Sequence, residues 1–130
     1  MARILVVDDK ELMRDSVGTM LSRRGHSVIA AASAEMALER LASRPVDVVV
    51  TDLQMPGMDG LELMQTIRER DESVPVILMT AFATVETAVG AMKNGAWDYI
   101  TKPFGGDEML ATIERAVEHA KIVQENQVLK

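Results

Sequence analysis

The sequence predicts an α/β fold in which five strands and five helices alternate to build a doubly wound parallel sheet. Three observations carry this expectation. Short runs rich in β-branched residues, among them Ile4-Leu5-Val6-Val7, Val48-Val49-Val50 and Val76-Ile77-Leu78, are apolar throughout rather than alternating. That is the pattern of strands covered on both faces. Between the runs lie stretches with apolar residues at helical spacing, so strand and helix follow one another along the chain. Two of the runs end abruptly in carboxylates, Asp8-Asp9 and Asp52. In open parallel sheets, ligands and chemistry gather at the carboxyl ends of the strands.

Taken in order, the first strand spans about Arg3–Val7. The first helix follows with Met13, Val17, Met20 and Leu21 on one face, and Arg24-Gly25 ends it because glycine accepts the backbone of a helix stop. The second strand covers about Ser27–Ala31. Ser33 caps a second helix with a narrow stripe of Ala34, Ala37, Leu38 and Leu41. Pro45 breaks that segment, and Val46–Thr51 forms the third strand. Asp59 caps the third helix, which buries Leu63, Met64 and Ile67. Pro75 precedes the fourth strand, Val76–Met79. The fourth helix presents Val85, Ala88, Val89 and Met92 and closes at Asn94-Gly95. The fifth strand, Trp97–Ile100, is interrupted at Lys102-Pro103. Gly105-Gly106-Asp107 then opens a fifth helix with Leu110, Ile113 and Val117 inward. Right-handed crossovers leave few strand orders, and the flavodoxin-like order 2-1-3-4-5 is the common one. It sets the first and third strands side by side and so brings Asp8, Asp9 and Asp52 together.

At 130 residues the chain is one domain with room for a core. Its net charge of −6 argues against a nucleic-acid-binding surface. The absence of cysteine excludes disulfides, thiolate catalysis and thiolate metal sites. No run approaches membrane-spanning length, and the start Met-Ala-Arg leads straight into a strand without a signal-peptide pattern. A cytoplasmic protein without membrane contact is expected. The methionines fall at core periods and read as packing, as does Trp97; His26 and His119 read as surface residues without a catalytic or metal-binding role.

Four strand ends carry the residues of chemical interest: Asp8-Asp9, Asp52, Thr80-Ala81 and Lys102-Pro103. Three crowded carboxylates repel one another and ask for a cation. Hard oxygen ligands suit Mg²⁺, which keeps waters and shares phosphate oxygens. Lys102 supplies a fixed positive charge and Thr80 a hydroxyl donor. Phosphoryl transfer asks chiefly for positioning and charge neutralisation, and an aspartate is an adequate nucleophile for a phosphoryl group. The residues thus point to a Mg²⁺ site at which one aspartate is phosphorylated.

Together these motifs resemble the receiver domain of a bacterial two-component response regulator, over Met1 to about Ala120. The resemblance rests on Asp8-Asp9, on Asp52 with Met55-Pro56-Gly57-Met58-Asp59-Gly60, on Thr80-Ala81, and on Asn94-Gly95-Ala96 through Lys102-Pro103-Phe104. It implies that Asp52 is the phosphoacceptor, served by a sensor histidine kinase. It also implies that Asp9 and Asp52 bind Mg²⁺ directly, Asp8 through water, and that the Gln54 backbone carbonyl completes the protein ligands. Lys102 would pair with the phosphoryl group across a cis Lys102-Pro103 peptide. Thr80 would move toward it, Tyr99 would turn inward behind, and the loop of Ala81, Phe82 and Ala83 would shift. The surface of helix 4, strand 5 and helix 5 would change as the output. Lys10 is a departure, standing where many receivers carry another acid.

The stretch Thr80–Val89 with Gly95-Ala96-Trp97-Asp98-Tyr99 is similar to receivers of the NtrC type, which precede an ATP-driven domain activating sigma-54 polymerase. By that resemblance residues 1–120 are the receiver and 121–130 begin a helical linker, with the ATPase and DNA-binding domains absent from the chain. The trailing helix, with Ile122, Val123, Val128 and Leu129, suggests a homodimer formed through it or through the helix 4–strand 5–helix 5 surface. Two other functions compete. A Mg²⁺-dependent phosphatase would use Asp52 on an external substrate, but Gln54 stands where a proton-donating acid would follow. A scaffold that kept only the fold would have no need of the intact acid and lysine set.

Overall fold

The computed structural model describes residues 2–70, 73–81, 84–102 and 104–129, with Val85 and residues 123–129 as backbone alone. The elements are β1 (Arg3–Val7), α1 (Glu11–Arg23), β2 (Ser27–Ala31), α2 (Ala34–Ser43), β3 (Val48–Asp52), α3 (Gly60–Arg70), β4 (Val76–Thr80), α4 (Val85–Lys93), β5 (Asp98–Thr101) and α5 (Gly106–Leu129). All strand pairs are parallel and the order is β2-β1-β3-β4-β5, as expected. Phe82, Ala83 and Pro103, and with Pro103 the expected cis peptide, lie outside the described residues.

Successive strand residues point to opposite faces, so each strand feeds two cores. Leu5, Val7, Val49 and Leu78 meet α2, α3 and α4 through Ala37, Leu63, Met64, Ile67 and Ala91. Ile4, Val6, Val50, Ile77 and Ile100 meet α1 and α5 through Val17, Leu21, Met109, Ile113 and Ala116. Every residue of β3 and β4 is buried, which explains their unbroken apolar character. Ile113 is fully buried at the centre of the second core. Ile113→Ala is therefore expected to cost about 3 kcal/mol of stability, read by urea unfolding; a loss below about 1 kcal/mol would contradict this packing.

The local signals behave as their chemistry requires. The Ser33 side chain accepts from the Met36 N–H at 3.2 Å and Asp59 accepts from the Glu62 N–H at 2.9 Å. Gly25 and Gly95 end α1 and α4 with φ of 86° and 102°, values that favour glycine. Strand ends differ from expectation by one or two residues. β3 begins at Val48 rather than Val46, because the Asp47 side chain takes up the Arg3 N–H at 2.8 Å. β4 and β5 run on to Thr80 and Thr101, which pair with each other.

The inward face of α4 also differs. Among its described side chains, which leave out the expected Val85, Ala91 is the buried one, whereas Val89 and Met92 are 45% and 46% exposed, leaving an apolar strip on the surface. Trp97 packs against the second core, as expected, with the exposed His119 ring 6.2 Å away. α5 continues unbroken through residue 120 to Leu129, with Ile122 exposed. No helix among the described residues is long and apolar enough to cross a membrane.

His26 departs from its expected surface role. Both ring nitrogens are buried with no hydrogen-bond partner among the described residues. Burial lowers the pKa of its imidazole below the ordinary 6.5, opposed by Glu114, with the N-terminal amine and Arg24 lowering it further. A base with a lowered pKa in the folded state favours folding while neutral, so that contribution fades as pH falls below 6.5. His26→Gln is expected to flatten the loss of stability between neutral pH and mildly acidic pH. Parallel pH profiles for the two proteins would contradict the assignment.

Candidate functional site

Register alone assembles the site. Val7 pairs with Thr51, so the next residues, Asp8 and Asp52, emerge side by side at the tips of β1 and β3. Asp52 pairs with Met79, which places Thr80 one step beyond it, and Thr80 pairs with Thr101, the residue before Lys102. The Lys102 N–H donates to the Thr80 carbonyl at 2.7 Å, anchoring the lysine backbone to the tip of β4. Four chain segments far apart in sequence thus deliver their polar residues to one edge.

Asp8 is fully buried. Its Oδ1 accepts from the Lys10 N–H at 2.9 Å and its Oδ2 accepts from Lys102 Nζ at 3.2 Å. The same Nζ lies 3.2 Å from Asp52 Oδ1. Asp9 is exposed, yet Asp8, Asp9 and Asp52 each offer a carboxylate oxygen within 4.8 Å of the others. Burial pushes the Asp52 carboxyl above its ordinary value, Lys102 pulls it back, and Asp8 and Asp9 push it up again. Ionised, the cluster carries three negative charges against one ammonium, and every donor it offers is a hard oxygen. A small divalent cation fits both the charge and the donor set. Asp8, Asp9 and Asp52 could each give one oxygen to such an ion.

The remaining expected site residues fall around this cluster. Thr80 is buried at the tip of β4. Gln54 is exposed in the loop between β3 and α3, two residues beyond Asp52. Tyr99 is half-buried against the first core, in register with Leu78 and so two positions short of Thr80. Thr84 and Thr87 form a reciprocal cap at the start of α4, each side chain accepting from the other's backbone N–H, at 3.1 and 2.9 Å.

One contributor was missed from the sequence. Arg14, one turn into α1, donates from Nη1 to the Asp8 carbonyl at 2.8 Å and so pins the backbone from which two acids project. Its signal was present as a cation five residues after the Asp8-Asp9 pair, but nothing local distinguishes it from an ordinary helix-surface arginine. Lys10, by contrast, is exposed, and its contact with Asp8 is made by the backbone.

Fold and site together define a doubly wound α/β domain with a cation-suited acid cluster at the switch point of its sheet. The chain belongs to the response regulator receiver domain family, whose profile matches residues 4–114. Its relatives place it with the NtrC and NtrX type. An NtrX-like response regulator of Rickettsia bellii is 40% identical over 129 residues, covering 98% of this chain and 27% of that protein. NtrX from Brucella abortus superposes with a TM-score of 0.92 at 37% identity, over 99% of this chain and 30% of that one. The beryllofluoride-activated NtrC4 receiver domain dimer superposes at 0.87 with 34% identity, over 92% of this chain and 99% of that one. The chain spans about a quarter of the length of the curated relatives it matches.

Proposed function

We propose that this receiver domain is a phosphorylation-operated switch in which Asp52 accepts a phosphoryl group from a sensor histidine kinase. The observation that carries the proposal is the position of Lys102 Nζ, 3.2 Å from both Asp8 Oδ2 and Asp52 Oδ1 at the mouth of an acid cluster. In the reaction an Asp52 carboxylate oxygen attacks phosphorus, the phosphorus–nitrogen bond to the donor histidine breaks, and the imidazole nitrogen keeps the electron pair. Asp8, Asp9, Asp52 and the Gln54 backbone carbonyl would hold Mg²⁺. The ion supplies neutralisation of charge on the transferring oxygens. Lys102 adds a fixed positive charge beside Asp52, and the Thr80 hydroxyl binds a phosphoryl oxygen once the acyl phosphate has formed.

The readout follows from what surrounds the tip of β4. A new dianion at Asp52 draws Thr80 and Lys102 toward it, Tyr99 moves inward behind them, and the face of α4, β5 and α5 changes. The strip of Val89 and Met92 gives that face an apolar contact for a second copy, and the long α5 offers another. In this reading residues 1–120 are the switch and 121–130 begin a linker to a sigma-54-type ATPase and a DNA-binding domain. The whole operates in the cytoplasm.

Incubation with acetyl phosphate and Mg²⁺, followed by intact mass and phosphate release, tests the reading. One adduct per chain supports a switch. Steady release without an adduct would establish the phosphatase, and no reaction the scaffold. Light scattering on the same samples reads the output: phosphorylation is expected to shift the monomer–dimer balance, and an unchanged size would remove dimerisation as the response.

A further inference from the structure

We propose that Gly60 is a positioning residue of the acidic site, its missing side chain fixing where the Asp52 backbone and the loop beyond it lie. This rests on the phosphoacceptor reading above. A Cβ at Gly60 would stand 2.2 Å from the Asp52 carbonyl oxygen, 2.9 Å from Leu53 Cα and 3.0 Å from the Asp52 carbonyl carbon. All three are backbone atoms at the end of a strand paired on both sides, so none yields as the far end of a flexible side chain would. The same Asp52 carbonyl accepts the Thr51 hydroxyl at 3.0 Å, which leaves it little freedom to turn away.

The close approach has a consequence for the loop. The Gly60 N–H donates to the Leu53 carbonyl at 2.9 Å, and the Leu53 N–H donates to the Met79 carbonyl at 2.8 Å. Residues 53–60 are thereby tied into a closed loop anchored to β4, with Gln54 just inside its neck. The first turn of α3 rests directly on the strand tip that carries Asp52. A methyl group at residue 60 must lift α3 from that tip, open the neck, and displace the Asp52 carboxylate and the Gln54 carbonyl together. Gly90, inside α4, has nothing within 4 Å of its own ideal Cβ and provides an internal control.

The test compares wild type, Gly60→Ala and Gly90→Ala by calorimetric Mg²⁺ titration, by the rate of adduct formation with acetyl phosphate, and by circular dichroism. Folded Gly60→Ala is expected to bind Mg²⁺ and to form the adduct about tenfold more weakly and slowly, or worse. Gly90→Ala is expected to match wild type in both. Binding and phosphorylation of Gly60→Ala within about twofold of wild type would overturn the proposal. Should Gly60→Ala not fold, amide exchange in the wild type decides: Mg²⁺ is expected to raise protection of the Gly60 amide severalfold and leave that of Gly90 unchanged. Equal protection with and without Mg²⁺ refutes the coupling. A wild type that neither binds Mg²⁺ nor takes phosphate overturns the phosphoacceptor reading itself, whereas a competent wild type beside a competent Gly60→Ala overturns this inference alone.

Discussion

Asp52→Asn is expected to abolish the phosphate adduct and to leave a folded domain slightly more stable than the wild type. The loss of chemistry follows from removing the nucleophilic oxygen, since the amide cannot form an acyl phosphate. The gain in stability follows from the electrostatics. Burial and the neighbouring Asp8 and Asp9 raise the pKa of the Asp52 carboxyl despite Lys102, so the ionised form is disfavoured in the fold. An acid with a raised pKa in the folded state costs stability once it ionises, and the cost appears as pH rises through the raised value. The neutral amide escapes it, so the variant is expected to show the higher Tm at neutral pH. At a pH below the ordinary carboxylate range the two proteins are expected to converge. An adduct retained on intact Asp52→Asn would move the phosphoacceptor elsewhere. A lower Tm for the variant at pH 7 would contradict the charge balance.

Lys102→Ala acts in the opposite direction. Among the described residues its ammonium is the one cation in contact with both Asp8 and Asp52, and both carboxylates are buried. Removing it leaves paired buried charges without their partner, at a cost of about 3 kcal/mol in the absence of metal. The deficit is expected to shrink at low pH, where the carboxyls protonate, and with added Mg²⁺, which replaces the missing charge. Phosphorylation of the variant is expected to persist, because the nucleophile and metal ligands remain, while the response of the α4 face is lost. Amide chemical shifts in α4 and β5, recorded with and without phosphodonor, read this directly. A full response in Lys102→Ala would remove the lysine from the relay, and an unchanged stability would show that its ion pairs carry no weight.

Much of the fold was legible because burial leaves a plain mark on composition. The apolar runs of β1, β3 and β4 have no polar face to hide, and Leu63, Met64 and Ile67 of α3 sit at helical spacing and are all buried. The site was legible for a related reason: a carboxylate at the end of an apolar strand has no packing explanation, so Asp8 and Asp52 stood out. α4 was read less well. Its residues are apolar on several sides, and spacing alone does not reveal that the small Ala91 faces inward while Val89 and Met92 face out. Arg14, His26 and Gly60 were missed as contributors because each acts through a tertiary contact. The Arg14 hydrogen bond to the Asp8 carbonyl, the burial of the two His26 ring nitrogens and the approach of Gly60 to Asp52 exist only once β1, β3 and their neighbours have assembled.

The most direct test of the central claim is the intact mass of the domain after acetyl phosphate, measured once with Mg²⁺ and once with the metal chelated. The proposed phosphoacceptor role of this cluster of three acids and one lysine predicts one phosphate per chain with Mg²⁺ and none without it. No phosphate in the presence of Mg²⁺, or equal incorporation in both samples, would contradict it.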